Sequence, residues 1–457
     1  FSENMKQLYT LFITVVIGCS LFLGLWGCKP SISAFDPSLG EVEVDNFRAF
    51  GDGYTAGFSN TGIENPQSLR GLYAEAQSFA FPALMADQFA LIQTLDFVQH
   101  FAADAGSGYN YLTEATQSSC PNKLIQATID SEASLPDWQE SPSEAIYPTI
   151  SNWGIPHMKM ADVAQNDLNT TERAFMRRME MSGSPSMTYV DHAKATQPSF
   201  FTLWMGTRDL LDYAISGGAN PAYPLTPPEV FAENLAKLLD SLHAPGQLGP
   251  MGVIGNIPDV TLFPFFHHLP HTYSNSEFCK EEPLPLYIFR SSNLGEPTAA
   301  IQSDYILLRA QGKIGQLTPS PGTPFPQGLH PENPLPENWV LDFEEAYQLR
   351  LHVEAYNEII DSLIQVHNQA LSVPVLVKAD LYTLFQNLHE TGITLNGLEI
   401  TSEYLVGGIF ALDGLYLTPR GQALVANQFI DAINQAPRWS ATVPFLNITD
   451  YQGVVFP

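Results

Sequence analysis

Short apolar runs alternate with longer segments whose apolar residues return every three or four positions, a rhythm that predicts an α/β domain on a parallel sheet. The candidate strands are residues 46–50, 97–102, 200–205, 251–254 and 373–377. Their apolar residues run on without in–out alternation, so they read as strands buried on both faces, the arrangement of a three-layer α/β/α fold with a central parallel sheet. Between them, residues 228–243 place Val230, Leu235, Leu238, Leu239 and Leu242 along one helical stripe, and residues 343–370 carry a similar stripe over a longer span. A last helix is expected over 419–433, with Thr418 as N-cap and Pro419 at the first helical position, where a missing N–H is harmless. Two stretches break the rhythm. Residues 106–148 and 264–338 are rich in Pro, Gly and Ser and read as insertions over the strand ends, where α/β folds build their sites.

The N-terminus adds a compartment. Residues 8–27 contain no Asp, Glu, Lys or Arg and follow Lys6 and a candidate initiator, Met5, so they read as a targeting segment. The same length suits an uncleaved membrane anchor. Leu25-Trp26-Gly27-Cys28 resembles a bacterial lipobox, which makes Cys28 the expected lipidation site. Val16-Ile17-Gly18-Cys19 is a rival, but cleavage there would leave the apolar residues 20–27 as the mature N-terminus. This gives a lipoprotein-type signal peptide over 1–27, a tether over 28–44 and one domain over 45–457. The membrane is then a partner, reached through the lipid. Two further thiols remain, Cys120 and Cys279, either bridged or both free in a compartment where disulfides persist.

Composition narrows the function. The chain has 457 residues, of which 45% are hydrophobic and only 15% charged, so it has the material for a core and is not intrinsically disordered. The 48 acidic residues against 20 basic ones give a formal charge of −28, which excludes nucleic acid as a partner because affinity for phosphate rests on cationic contacts. Removal of residues 1–27 takes Glu3 and Lys6 together and leaves that charge unchanged.

Four turns carry the candidate chemistry. Phe50-Gly51-Asp52-Gly53-Tyr54 follows the first strand, Asn152-Trp153-Gly154-Ile155-Pro156-His157 lies further on, Gly206-Thr207-Arg208-Asp209 follows the third run, and Leu412-Asp413-Gly414-Leu415-Tyr416 precedes the last helix. In this order they resemble blocks I, II, III and V of the SGNH (GDSL-type) hydrolases, whose fold is flavodoxin-like. The likeness extends from about Asp45 to the C-terminus. It is greatest to a group of large, lipid-anchored Gram-negative members, which also show segments like Asn256-Ile257-Pro258-Asp259-Val260 and Ala355-Tyr356-Asn357. The resemblance implies an outer-membrane lipoprotein facing the periplasm or the surface, with no cofactor.

The same resemblance counts against the family's chemistry. Gly53 stands where the family has its nucleophilic Ser, His157 where a Gly donates to the oxyanion hole, Arg208 where an Asn does, and Tyr416 where His is the general base; Asp413 alone is kept. Acyl transfer needs a hydroxyl, a base within reach and donors aimed at the oxyanion. A phenol with a pKa near 10 is a poor base at neutral pH. The expectation is therefore an inactive binding or assembly component for a glycan, lipid or envelope protein. The other reading is a residual or redirected ester hydrolase, with Thr55 or Ser59 as substitute nucleophile.

Each replacement has a structural alternative. Gly53 can serve a turn with unusual backbone angles, and Arg208 can pair with Asp413 or Asp52. Alternatively, Arg208, His157 and Tyr416 bind an anionic or sugar-like ligand. The cluster His267, His268 and His271 lacks the spacing of a familiar zinc site, so no metal is expected.

Overall fold

The computed structural model describes residues 36–59, 71–99, 149–166, 187–218, 220–274, 283–317 and 324–456, the hairpin strands 110–114 and 124–128, and the single residues 5, 101 and 176. Five strands form the central sheet: β1 (Phe47–Gly51), β2 (Asn152–Gly154), β3 (Phe200–Trp204), β4 (Met251–Gly255) and β5 (Leu376–Ala379). All neighbours pair in parallel, in the spatial order 2-1-3-4-5. This is a doubly wound order whose direction reverses between β1 and β3.

The eight helices that matter to the site are α1 (Gly53–Ala56), α2 (Phe81–Ala90), α3 (Tyr189–Thr196), α4 (Thr207–Ile215), α5 (Pro228–Leu242), α6 (Phe343–His367), α7 (Leu381–Glu390) and α8 (Pro419–Gln435). Side chains alternate across a strand, so Phe47 and Phe50 leave opposite faces of β1. Phe47 and Phe200 meet Phe89 of α2, and Phe81 of the same helix stacks on Phe429 of α8. Phe50, on the other face, meets Tyr189 of α3. Helices thus cover both faces, which is compatible with a three-layer α/β/α fold. The continuous apolar runs follow from this double burial.

Local chemistry sets several boundaries. Thr418 caps α8 by accepting the Gly421 N–H at 3.2 Å. Asp342 and Glu345 form a capping box at the start of α6. Residues 256–259 and 355–357 meet, with the Asn357 side chain accepting the Ile257 N–H at 2.8 Å and donating to its carbonyl at 2.9 Å.

Three sequence expectations change. Residues 97–99 form no strand: Val98 accepts the Ser151 N–H at 2.7 Å beside the sheet, and the second strand is 152–154. The chain is docked well before residue 45, because Leu39, Val42 and Val44 are buried and Ser38 bridges to Thr442. Residues 264–338 are more than irregular excursion: strands at Tyr287–Arg290 and Asn293–Ala299 pair, and Leu286, Ile288, Ile306 and Leu335 gather in a small core of their own. Residues 6–35, Cys28 among them, and Cys120 and Cys279 lie outside the described residues, as does most of 106–148. No helix among the described residues is long and apolar enough to cross a membrane.

Candidate functional site

The four turns converge at the carboxyl edge of the sheet, where the strand order reverses and doubly wound folds leave a crevice. Tyr189 fastens the edge: its hydroxyl accepts the Gly51 N–H at 3.0 Å and donates to the Trp153 carbonyl at 2.6 Å, joining the ends of β1 and β2. Asn152 donates to the Thr55 carbonyl at 2.8 Å and so holds α1 against β2.

Asp52 caps α1 through Oδ1, which accepts the Tyr54 N–H at 3.0 Å. Oδ2 is buried and has no hydrogen-bond partner among the described residues. Burial pushes this carboxyl up to about 7, although the Tyr54 N–H, the Arg208 guanidinium and the Arg208 N–H all favour its charged form. Gly53 follows in the first turn of α1. Its φ is not positive, so unusual backbone angles do not explain the glycine. Space does: a Cβ there would stand 3.1 Å from the Tyr416 ring and 3.4 Å from its hydroxyl oxygen. Gly53 and Tyr416, which the resemblance places at the nucleophile and base positions, face each other, and the phenol ring lies against Gly53.

Tyr416 is presented by a turn that Asp413 holds, Oδ1 accepting the N–H groups of Leu415 and Tyr416 at 2.8 Å each. Its ring packs on Phe58 and Tyr54 with centroids 4.8 and 5.0 Å away. Burial raises the phenol's pKa further above its ordinary value, against the opposing pull of Arg208. A weak base is thereby made no more available at neutral pH.

Arg208 donates to the Tyr416 hydroxyl at 3.2 Å and pairs with Asp212, one turn further along α4. This corrects the expected partners, Asp413 and Asp52. Lys159 reaches the other oxygen of Asp212 at 2.8 Å, so one carboxylate serves two cations. Burial works against the guanidinium's charge, but Asp212 and its neighbours leave its pKa above the ordinary value. Asp209 accepts the N–H groups of Met160 at 2.7 Å and Ala161 at 3.2 Å, tying the second turn to the third; burial raises it to about 6.

His157 lies within the same cluster, its ring edge-on to Phe58 at 5.4 Å. Its φ of +61° is in the left-handed region that favours glycine, the residue type the block II resemblance expects there. Gly53, His157, Arg208, Asp413 and Tyr416 are therefore brought together, and all are buried. Thr55 donates to the Trp204 carbonyl at 3.5 Å and Ser59 to the Leu417 carbonyl at 3.0 Å; both are buried and point at backbone.

Sequence reading missed Asp212 and Lys159. The i, i+4 spacing of Arg208 and Asp212 on the helix after the third turn was the available signal. The histidine segment separates: His267 faces His389 and Ser402, whereas His268 packs on Tyr404. Burial and His389 lower His267 to about 4. Among the described residues no group of three or more His, Cys, Asp or Glu is placed to hold a metal ion. Compared with family models, curated proteins and solved structures, the chain matches none of them.

Proposed function

We propose that this chain is a catalytically silent relative of the SGNH hydrolases, a lipoprotein of the Gram-negative envelope that acts by binding or assembly. Gly53, His157, Arg208, Asp413 and Tyr416 are then vestigial active-site positions. The observation that carries this reading is the contact between Gly53 and Tyr416: a Cβ at position 53 would already stand 3.1 Å from the phenol ring. The flavodoxin-like strand order and the convergence of the four turns at the reversal point support the relationship. The left-handed His157 supports it independently, since a backbone suited to Gly has outlasted the Gly.

A serine-type site stripped of its triad keeps only about 10³ to 10⁴-fold acceleration over water, from oxyanion donors and binding. Here the donor positions hold His157 and Arg208, and the guanidinium is taken up by Asp212 and Tyr416. Ligands of the envelope, whether glycan, lipid or protein, would meet the outer surface and the elaboration over 264–338.

Chromogenic short-chain esters given to the purified protein test this reading. No turnover above the solvent rate is expected, nor from Gly53→Ser alone, because Tyr416 stays in place. Turnover that vanishes when the Thr55 and Ser59 hydroxyls are removed would establish the redirected hydrolase instead.

A further inference from the structure

At the end of α4 opposite to Arg208, the elaboration builds an open groove of two lobes that share Phe289 and Glu337. One lobe, of about 500 Å³, is walled by Ser216, Asn220, Pro336 and Asn338. The other, of about 390 Å³, is lined by Tyr213, Phe289, Glu337, Glu344, Glu345 and Gln348. Both volumes fall within the roughly 300–1,000 Å³ of small-molecule sites.

Glu345 is the unusual member. It is 9% exposed, its Oε2 accepts the Asp342 N–H at 2.9 Å in the capping box, and its Oε1 accepts no hydrogen bond among the described residues although the residue lines the cavity. Gly218, at φ +69°, gives the carboxyl its place, since any Cβ there would overlap it. Burial, with Asp342, Glu337 and Glu344 as like-charged neighbours, pushes Glu345 up to about 8. Two cations of the elaboration, Arg290 and Lys313, are engaged elsewhere. Arg290 holds Asp304 through two hydrogen bonds of 2.7 Å and lies over Phe343, and Lys313 lies over the Trp339 ring at 5.0 Å.

A desolvated carboxylate without a counter-charge is costly, and a ligand that brings a cation removes that cost. An aromatic wall adds cation–π attraction, and a charged donor makes the stronger class of hydrogen bond. We propose that the acidic lobe binds a small organic cation, an ammonium or guanidinium whose charge meets Glu345 and Glu344 while its stem runs along Phe289 toward the second lobe. This site lies outside the vestigial cluster and does not depend on the reading of that cluster.

Calorimetric titration of the full chain with agmatine tests it, with 1,4-butanediol as the uncharged analogue. Saturable one-to-one binding to agmatine is expected at about pH 8.5, weaker by about fivefold or more at about pH 6, where Glu345 keeps its proton. Glu345→Gln preserves the cap, because Gln also accepts the Asp342 N–H, and should weaken binding by about tenfold or more. Should that variant fold poorly by thermal unfolding, Phe289→Ala, with an expected loss of about fivefold, and the pH dependence decide. The proposal is overturned by no saturation up to about 10 mM, by equal binding of the diol, or by unchanged affinity in Glu345→Gln. A single-lysine pentapeptide binding about tenfold tighter than agmatine would overturn the small-ligand form and make a polypeptide side chain the occupant.

Discussion

The buried cluster at the ends of β1 and β3 and the groove beside the start of α6 border opposite ends of α4, and they treat charge in opposite ways. In the cluster, Asp212 serves both Arg208 and Lys159, the guanidinium also holds Tyr416, and the rings of Tyr54 and Phe58 close over the group. In the groove, Glu345 has an oxygen with no hydrogen bond among the described residues beside the cavity, and Arg290 and Lys313 are committed to Asp304 and Trp339. A charge compensated from within the fold is part of its structure. A charge facing a cavity without compensation is available to a ligand.

The largest expected effect lies in the cluster. Arg208→Ala removes the main partner of a buried carboxylate and should cost about 3–5 kcal/mol in denaturant unfolding, toward the lower end because Lys159 remains. Glu344→Gln at the groove should stay within about 0.5 kcal/mol, as expected for a substitution that breaks no buried network. Equal costs would dissolve the distinction between the two regions.

Next comes pH. Asp52 and Glu345 have folded pKa values raised to about 7 and about 8, above their unfolded values, so the folded state holds protons that the unfolded chain has released. Such groups make stability fall as pH rises toward the folded pKa. The lowered histidines act the other way: His267, held near 4, makes stability rise with pH only up to the ordinary histidine pKa of about 6.5. Between about pH 6.5 and 8.5 the carboxylates alone operate, and the melting temperature should drop across that window. Asp52→Asn should remove part of the drop, and a flat profile in the parent protein would contradict the assigned burial costs.

A smaller effect probes the contact between Gly53 and Tyr416. Gly53→Ala brings a Cβ to 3.1 Å from the Tyr416 ring and should cost about 1 kcal/mol. In a Tyr416→Ala background that cost should disappear, giving a coupling of about 0.5 kcal/mol or more in a double-mutant cycle. Strict additivity would mean that the two positions do not touch.

Much of the scaffold was legible because double burial leaves a plain signal. The runs at 46–50, 200–205 and 251–254 fall within a residue of β1, β3 and β4, and Thr418 caps α8 as its sequence implies. The strand at 97–102 misled because Phe97 and Val98 are apolar yet lie beside the sheet, hydrogen-bonded through Ser151. The three residues of β2 are too few to carry a period, and only the motif around them marked the place. In the cluster, the motif positions were readable but not their environment. Asp212 lies one turn from Arg208, yet spacing alone cannot tell a buried pair from a solvated one. Glu345 carried no sequence signal of its own, because the cavity beside it is lined by Phe289 and Gly218, far away in sequence.

The most direct test of the silent-site account is labelling of the purified full chain with a fluorophosphonate, which captures activated serine nucleophiles, followed by mass spectrometry of its peptides. The account expects no adduct on any residue of the chain. An adduct on Ser59 that is lost when the protein is heat-denatured before labelling would contradict it, by showing a folded site that activates a hydroxyl.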